Sequence, residues 1–419
     1  MKQKIKDLLL WSQQYTQVDM LYIAKGGFWS GLSFFINSVL SLVLLVAFAN
    51  LLPKESYGIY KYVISLANSI SFLTLTGMNI AVSQAIARGH EEIFPYAVKT
   101  QLKWNVLFLL GASALGTYYL LKGNAVFAFS LFILGAFFPL NTALNTYGIF
   151  LHGKREFKKN SLYGMTAGIF YFLMMLGILF LTDNVLALVA VYAAASFLPT
   201  LFFYLRTVKT VKSDGSVPKE RKEVLRYAKH LSVTNVFSVI SQYIDKILVF
   251  QFLGPVSLAV YAIASAVPER VSGFIKNIST LILPKISDKD ISEIKAVFYK
   301  RVIQSVIIGS ALSAIYILTA PILFKIFIPQ YLDSLFYSQL LSLSFIFLAP
   351  ANYVGNVFHA KKMIGTIYRS SVAANVLRIA LFLTLGIYWG ILGMITSTLL
   401  MYLAGTFYNL FLWRKELNK

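Results

Sequence analysis

Twelve apolar stretches, each long enough to cross a lipid bilayer, alternate with short basic segments, and no soluble fold accommodates that pattern. A spanning helix needs about 20 mostly apolar residues. Such runs lie near 27–50, 57–83, 102–121, 125–150, 161–182 and 185–205, and then near 230–253, 257–283, 302–324, 333–358, 367–388 and 391–413. Only 13% of the residues are charged, against roughly 25% in soluble domains, and the mean hydropathy is +0.68. A soluble core could not hide so much apolar surface, so lipid is the solvent for most of the chain.

The basic residues test the span count. With the spans numbered in order, thirty of the thirty-eight Lys and Arg fall in the N-terminal segment, the even-numbered loops and the C-terminus. The opposite side holds only Lys54, Lys61, Lys122 and Lys325. One missed or invented span would scramble this alternation. The positive-inside rule then predicts a multi-pass protein with both termini cytoplasmic. The loops of the other side are very short and predict no extramembrane domain there. The net charge of +21 is therefore a topology signal, and no nucleic-acid partner is inferred from it.

Lys2, Lys4 and Lys6 precede an apolar run of only Leu8 to Trp11, too short for a cleavable signal. Residues 1–24 are expected to be a cytoplasmic or interfacial segment. Residues 25–205 form a first six-helix bundle, 206–229 a basic cytoplasmic loop, 230–413 a second bundle, and 414–419 a cytoplasmic tail.

The two bundles repeat each other. NLLPKESYGIYKYVIS at 50–65 lies over QFLGPVSLAVYAIASA at 251–266. Pro139-x-Asn141-x3-Asn145 matches Pro350-x-Asn352-x3-Asn356, and the His152-Gly153-Lys154 stretch resembles His359-Ala360-Lys361. Six is an even number, so both halves start on the same side. The expected fold is an all-α polytopic membrane protein of twelve spans, arranged as two parallel-repeat six-helix bundles around a central cavity. Parallel repeats place binding sites near the midplane and expose them alternately to each side.

Polar side chains inside spans are costly and face the bundle interior. Asn37 in the first span, Gln242 in the seventh, and Asn352 and Asn356 in the tenth are the uncharged candidates, against the plainer reading of interhelical hydrogen bonding. The charges weigh more. Lys246, Arg270, Lys276 and Arg378 place four cations in spans, and Asp245 and Glu269 place two anions. At roughly 2.5–3.5 kcal/mol each, six lipid-facing ions would cost on the order of 15–20 kcal/mol. They are expected to pair or to line a hydrated cavity. Pairing consumes two cations, and an anionic ligand such as a phosphate or pyrophosphate would balance the remaining two. Lys25 and Lys61 lie near span ends, in a vestibule or snorkelling to an interface. Asp245 and Glu269 either balance charge or bind a coupling H+ or Na+.

Other chemistries lack their residues. With no cysteine there is neither a disulfide framework nor a thiolate metal site. His90, His152, His230 and His359 have no metal-ligand spacing, so no metal or other cofactor is expected. No G-x-x-x-x-G-K-[ST] loop occurs. An enzyme is not expected.

The run Leu51-Leu52-Pro53-Lys54-Glu55-Ser56-Tyr57-Gly58-Ile59-Tyr60 resembles the bacterial oligosaccharide flippases, the O-antigen and polysaccharide repeat-unit transporters. So do Asp245-Lys246-Ile247-Leu248, Phe252-Leu253-Gly254 and Val260-Tyr261. That family sits in a superfamily with the multidrug and toxic compound extrusion transporters and the peptidoglycan lipid flippase. The resemblance implies an undecaprenyl-pyrophosphate-linked oligosaccharide as substrate, moved across the bacterial inner membrane for O-antigen, capsule or exopolysaccharide synthesis. It implies a cationic cavity, carried here to Arg270, Lys276, Lys246 and Arg378. It also implies membrane lipids and glycan polymerase or assembly proteins as partners. The chain departs from the peptidoglycan relative in lacking two further helices and in having Lys25 and Lys61 where that relative has arginines. The alternatives are a drug or metabolite exporter of the same superfamily, a membrane glycosyltransferase or polymerase, and a non-transporting scaffold.

Overall fold

The structure is a computed structural model that describes residues 20–211, 220–287 and 289–417. Among the described residues every regular element is helical. The first span, α1, is Met20–Leu51. The second, α2, is broken: Lys54–Leu73 and Met78–Ala87 meet at a bend of 60°. Then come α3 (Ile93–Leu121), α4 (Ala125–Gly153), α5 (Phe157–Leu181) and α6 (Val185–Val208).

The helix Glu220–Ser287 is two helices meeting at Gly254 (φ 82°): α7 (220–253) and α8 (255–287). Next are α9 (Ile291–Phe327) and α10 (Pro329–Ala360). Ile364–Leu417 again divides, at Gly390 (φ 59°), into α11 (364–389) and α12 (391–417). A left-handed glycine lets a chain leave one helix and enter the next without a loop, because no Cβ meets the following carbonyl. Ten apolar helices, two of which are such pairs, make twelve spans among the described residues. The multi-pass, all-helical architecture is the one expected from the apolar runs.

The helices extend beyond those runs. The ninth is expected near 302–324 but covers Ile291–Phe327, since the polar turns that follow the extended N-cap Asp290 can be helical in water as readily as the apolar part is in lipid. Helix starts are capped locally. Asn124 Oδ1 accepts from Phe127 N at 3.2 Å, and Asn184 Oδ1 accepts from Leu186 N at 2.9 Å, each filling an otherwise orphaned donor. Large apolar side chains such as Leu318 and Phe180 stand outward, 75% and 69% exposed. A water-soluble protein could not leave so many of them uncovered, whereas a lipid-facing surface requires them.

The chain folds into two compact units. One comprises Ile70–Asn235 with the chain up to Leu44. Its core gathers Met78, Phe94, Phe150 and Phe203, with Phe94 stacked on Phe150 at 4.7 Å between centroids. The other comprises Leu45–Ser69 with Val236–Lys419. Its core includes Phe298 stacked on Trp413 at 4.6 Å. The first limb of α2 thus packs with the later part of the chain. Gly58 is the reason it can: a Cβ there would land on the carbonyl oxygen of Pro255. Tyr62 stacks on Phe250 at 3.9 Å and accepts a 2.5 Å hydrogen bond from Gln251. At the α1–α2 corner Lys54 Nζ is 2.6 Å from Asp333 Oδ2, and Asn50 donates to the carbonyl of Phe327 at 2.7 Å.

Candidate functional site

The second unit contains a cavity of about 440 Å³ whose walls come from α7, α8, α10, α11 and α12. Helical spacing delivers the charges to it. On α8, Ser265, Glu269, Ser272 and Lys276 recur every three or four residues, so they share one face, and all four line the cavity. Arg270 stands beside them. From α7 come Gln242, Asp245 and Lys246, and from α11 comes Arg378. All four in-span cations, both in-span anions and Gln242 therefore surround one volume.

Their partners are specific. Lys246 Nζ lies 3.2 Å from Glu269 Oε1, with side-chain exposures of 18% and 56%. Asp245 is buried, and its Oδ2 accepts from the hydroxyl of Tyr261 at 2.9 Å. Its Oδ1 has no hydrogen-bond partner among the described residues, and neither does the buried Nε of Arg378. The Arg378 guanidinium sits 5.3 Å from the Phe382 ring centroid, a cation–π contact that holds its plane without consuming its hydrogens. Lys276 feels the opposing charges of Arg378 and Glu269. Among the described residues Lys246 is thus the cavity cation with a bonded carboxylate, and the cavity keeps a positive surplus. Arg and Lys side chains with free donors at a partly desolvated wall match the oxygens of a phosphate or diphosphate.

Lys61 is not among the residues lining the cavity but lies near it. It is carried on the first limb of α2, its Nζ lies 5.3 Å over the Tyr57 ring, and it feels the charges of Lys246, Glu269 and Arg270. Lys25 lies on α1, its side chain outside the described residues, as are residues 1–19. Three uncharged candidates are elsewhere. Asn37 is in the first unit, where its Nδ2 donates to the Ser33 carbonyl at 2.8 Å and its amide fills the space a Cβ on Gly168 would need. Asn356 Nδ2 donates to the Ser279 carbonyl at 2.7 Å, tying α10 to α8. Asn352 has a buried Nδ2 without a described partner, yet it is not among the residues lining this cavity. Both α10 amides follow Pro350 inside the helix, where the missing N–H loosens the backbone and favours polar ties between helices.

Tyr243, Tyr261, Thr398 and Tyr402 also line the cavity and escape a search for charged or amide side chains. Tyr261 had a signal: it lies four residues before Ser265 and continues the same polar face by one turn. A tyrosine reads as apolar in a hydropathy count, although its hydroxyl must find a partner when buried.

Twelve spans in two helical units, with a charged cavity walled by five of them, make this a polytopic membrane protein with the fold of the MOP superfamily of transporters. The lipid II flippase MurJ in an inward closed conformation aligns with a TM-score of 0.66 at 16% identity, covering 92% of this chain and 87% of that one. An inward-facing multidrug resistance MATE transporter aligns at 0.65 and 12% identity, covering 89% and 93%. A MOP superfamily transporter from Pyrococcus furiosus, described as having a binding pocket of reverse polarity, aligns at 0.60 and 16% identity, covering 93% and 94%. No relative is found among curated proteins. The chain belongs to the polysaccharide biosynthesis protein family, which it matches over residues 23–290.

Proposed function

We propose that the chain is a flippase that carries a polyprenyl-diphosphate-linked oligosaccharide from the cytoplasmic to the outer leaflet of the bacterial inner membrane. The product feeds O-antigen, capsule or exopolysaccharide synthesis. The observation that carries this reading is the positive surplus of the second-unit cavity, where Arg270, Lys276 and Arg378 stand without a bonded carboxylate among the described residues. Membership in the polysaccharide biosynthesis protein family supports the saccharide part. The fold shared with MurJ supports a transporter over a glycosyltransferase.

In this reading the diphosphate enters the cavity from the cytoplasmic side, and charge-assisted hydrogen bonds from Arg270, Lys276 and Arg378 replace its water. Lys246 exchanges Glu269 for a phosphate oxygen. The polyprenyl tail stays in lipid throughout, since burying it in a polar cavity would forfeit its transfer free energy. The cavity then opens to the other leaflet, and Glu269 reclaims Lys246 as the head group leaves. Coupling to H+ or Na+ supplies direction, and a glycan polymerase with its assembly proteins takes the product.

An exporter of organic cations would need an acidic wall, and the surplus here has the opposite sign. The test is replacement of Arg270 and of Lys276 by alanine in cells that depend on this chain for surface glycan. Glycan export should collapse at unchanged protein level. Wild-type export in both variants would refute the assignment of the cavity.

A further inference from the structure

The first unit has a polar pocket of its own, which is uncharged. It encloses about 170 Å³ at the break of α2 and is lined by Ser71, Thr74, Thr76, Gln101, Asn105 and Phe138 among others. The break brings it about. Between Leu73 and Met78 the helix is interrupted, and Gly77 donates its N–H to Ser232 Oγ at 2.9 Å. Unwound backbone at membrane depth is tolerated where it lines a cavity, and such breaks mark binding sites in transporters.

Two amides on one face of α3 meet this break. Asn105, 1% exposed, spends its amide hydrogens on the Pro139 carbonyl at 2.8 Å and on Thr142 Oγ1 at 3.0 Å. A carbonyl only accepts, so the orientation of this amide is fixed, and Oδ1 is left without a partner among the described residues. Gln101, one turn earlier and 4% exposed, accepts from Thr146 Oγ1 at 3.4 Å, leaving Nε2 without a partner among the described residues. Thr76 Oγ1 is a third polar atom of the pocket in the same condition. A buried polar atom that nothing meets is costly, so three on residues that line one pocket call for an occupant.

The chemistry of that occupant is constrained. An anion finds no cation here. A metal ion finds no carboxylate, and it would leave the Gln101 donor unmet. A hydroxyl both donates and accepts, and so answers all three atoms. About six waters would fill the volume, but the pocket also presents an aromatic wall, Phe138, whose ring stacks on Phe108 at 4.6 Å. An aromatic wall beside free amide and hydroxyl groups suits a sugar, with its C–H face on the ring and its hydroxyls on the amides.

We infer that the pocket at the α2 break binds a neutral sugar residue, with Gln101, Asn105 and Thr76 meeting its hydroxyls. This rests on the flippase reading above and adds a saccharide subsite built from a different unit than the cationic cavity.

The test uses the full chain in cells that make its lipid-linked saccharide, with a photo-crosslinking residue introduced as Phe138→p-benzoylphenylalanine or as Ser272→p-benzoylphenylalanine. Adducts are read by mass. The subsite predicts a saccharide-bearing adduct at position 138, lowered at least fivefold by Gln101→Met or by Thr76→Val, with the adduct at 272 unchanged by either. An adduct at 272 with none at 138 overturns the subsite and leaves the flippase reading intact. A 138 adduct indifferent to both substitutions, or one suppressed by sodium, overturns the assigned hydroxyl contacts. Adducts at neither position refute the flippase reading itself, and the subsite with it.

Discussion

The Lys246–Glu269 pair makes the sharpest prediction, because its two members should answer mutation in opposite directions. If the pair were only a structural tie, losing either member would weaken everything the cavity does. If Glu269 instead competes with an anionic ligand for Lys246, its removal should strengthen anion binding. At 3.2 Å the attraction of two unit charges is about 1.3 kcal/mol at the dielectric of water and about 5 kcal/mol at an effective value near 20. Glu269 is 56% exposed, so the lower end applies, and roughly 1–2 kcal/mol is what an incoming diphosphate must displace. Glu269→Gln should therefore raise the affinity for farnesyl diphosphate by about tenfold. Lys246→Ala should lower it by tenfold or more, since it removes a cation and leaves a carboxylate facing the phosphates. Titration calorimetry of the purified protein in detergent reads both constants. Raising the salt concentration should shrink both effects, because the pair is partly solvated. A fall in affinity of similar size in both variants would refute the competition.

Other expectations follow from single contacts. Gly58→Val should abolish folded protein in the membrane, read as loss of a monodisperse peak in detergent, because its Cβ has no space against the Pro255 carbonyl. Asn356→Ala should cost about 1 kcal/mol in thermal unfolding by releasing the tie to Ser279, with diphosphate affinity unchanged. Asp333→Asn should change stability by less than about 1 kcal/mol, because its 2.6 Å pair with Lys54 is half exposed.

Much of the fold is legible in the chain because the bilayer is a severe solvent. Each span must be about 20 residues long and apolar, and that length was readable from α1 to α12. The break at Thr74–Gly77 was not readable, since an apolar run looks the same whether it is straight or bent by 60°. Its polar threonines are ordinary helix companions in a membrane. The charged site was legible for a related reason. Lys246, Arg270, Lys276 and Arg378 are expensive in lipid, so their convergence on one cavity follows from cost alone. The tyrosines that share the cavity were hidden because most of each ring is apolar. Lys61 was hidden by its place near the end of a span, where snorkelling is an equally good account. The uncharged Asn352 and Asn356 show the limit of such reasoning. A buried amide is satisfied by a neighbouring helix backbone as well as by a ligand, and it is the packing of α10 on α8 that puts Asn356 on the Ser279 carbonyl.

The claim that the cavity translocates a lipid diphosphate meets its most direct test in proteoliposomes. Purified protein is reconstituted with a fluorescent short-chain polyprenyl diphosphate bearing a saccharide, and the outward-facing fraction is quenched with time under an imposed H+ or Na+ gradient. The account predicts protein-dependent flipping that Arg270→Ala and Lys276→Ala abolish and that a neutral polyprenol glycoside does not undergo. Flipping of the neutral lipid at the same rate as the diphosphate, or full activity in both variants, would contradict it.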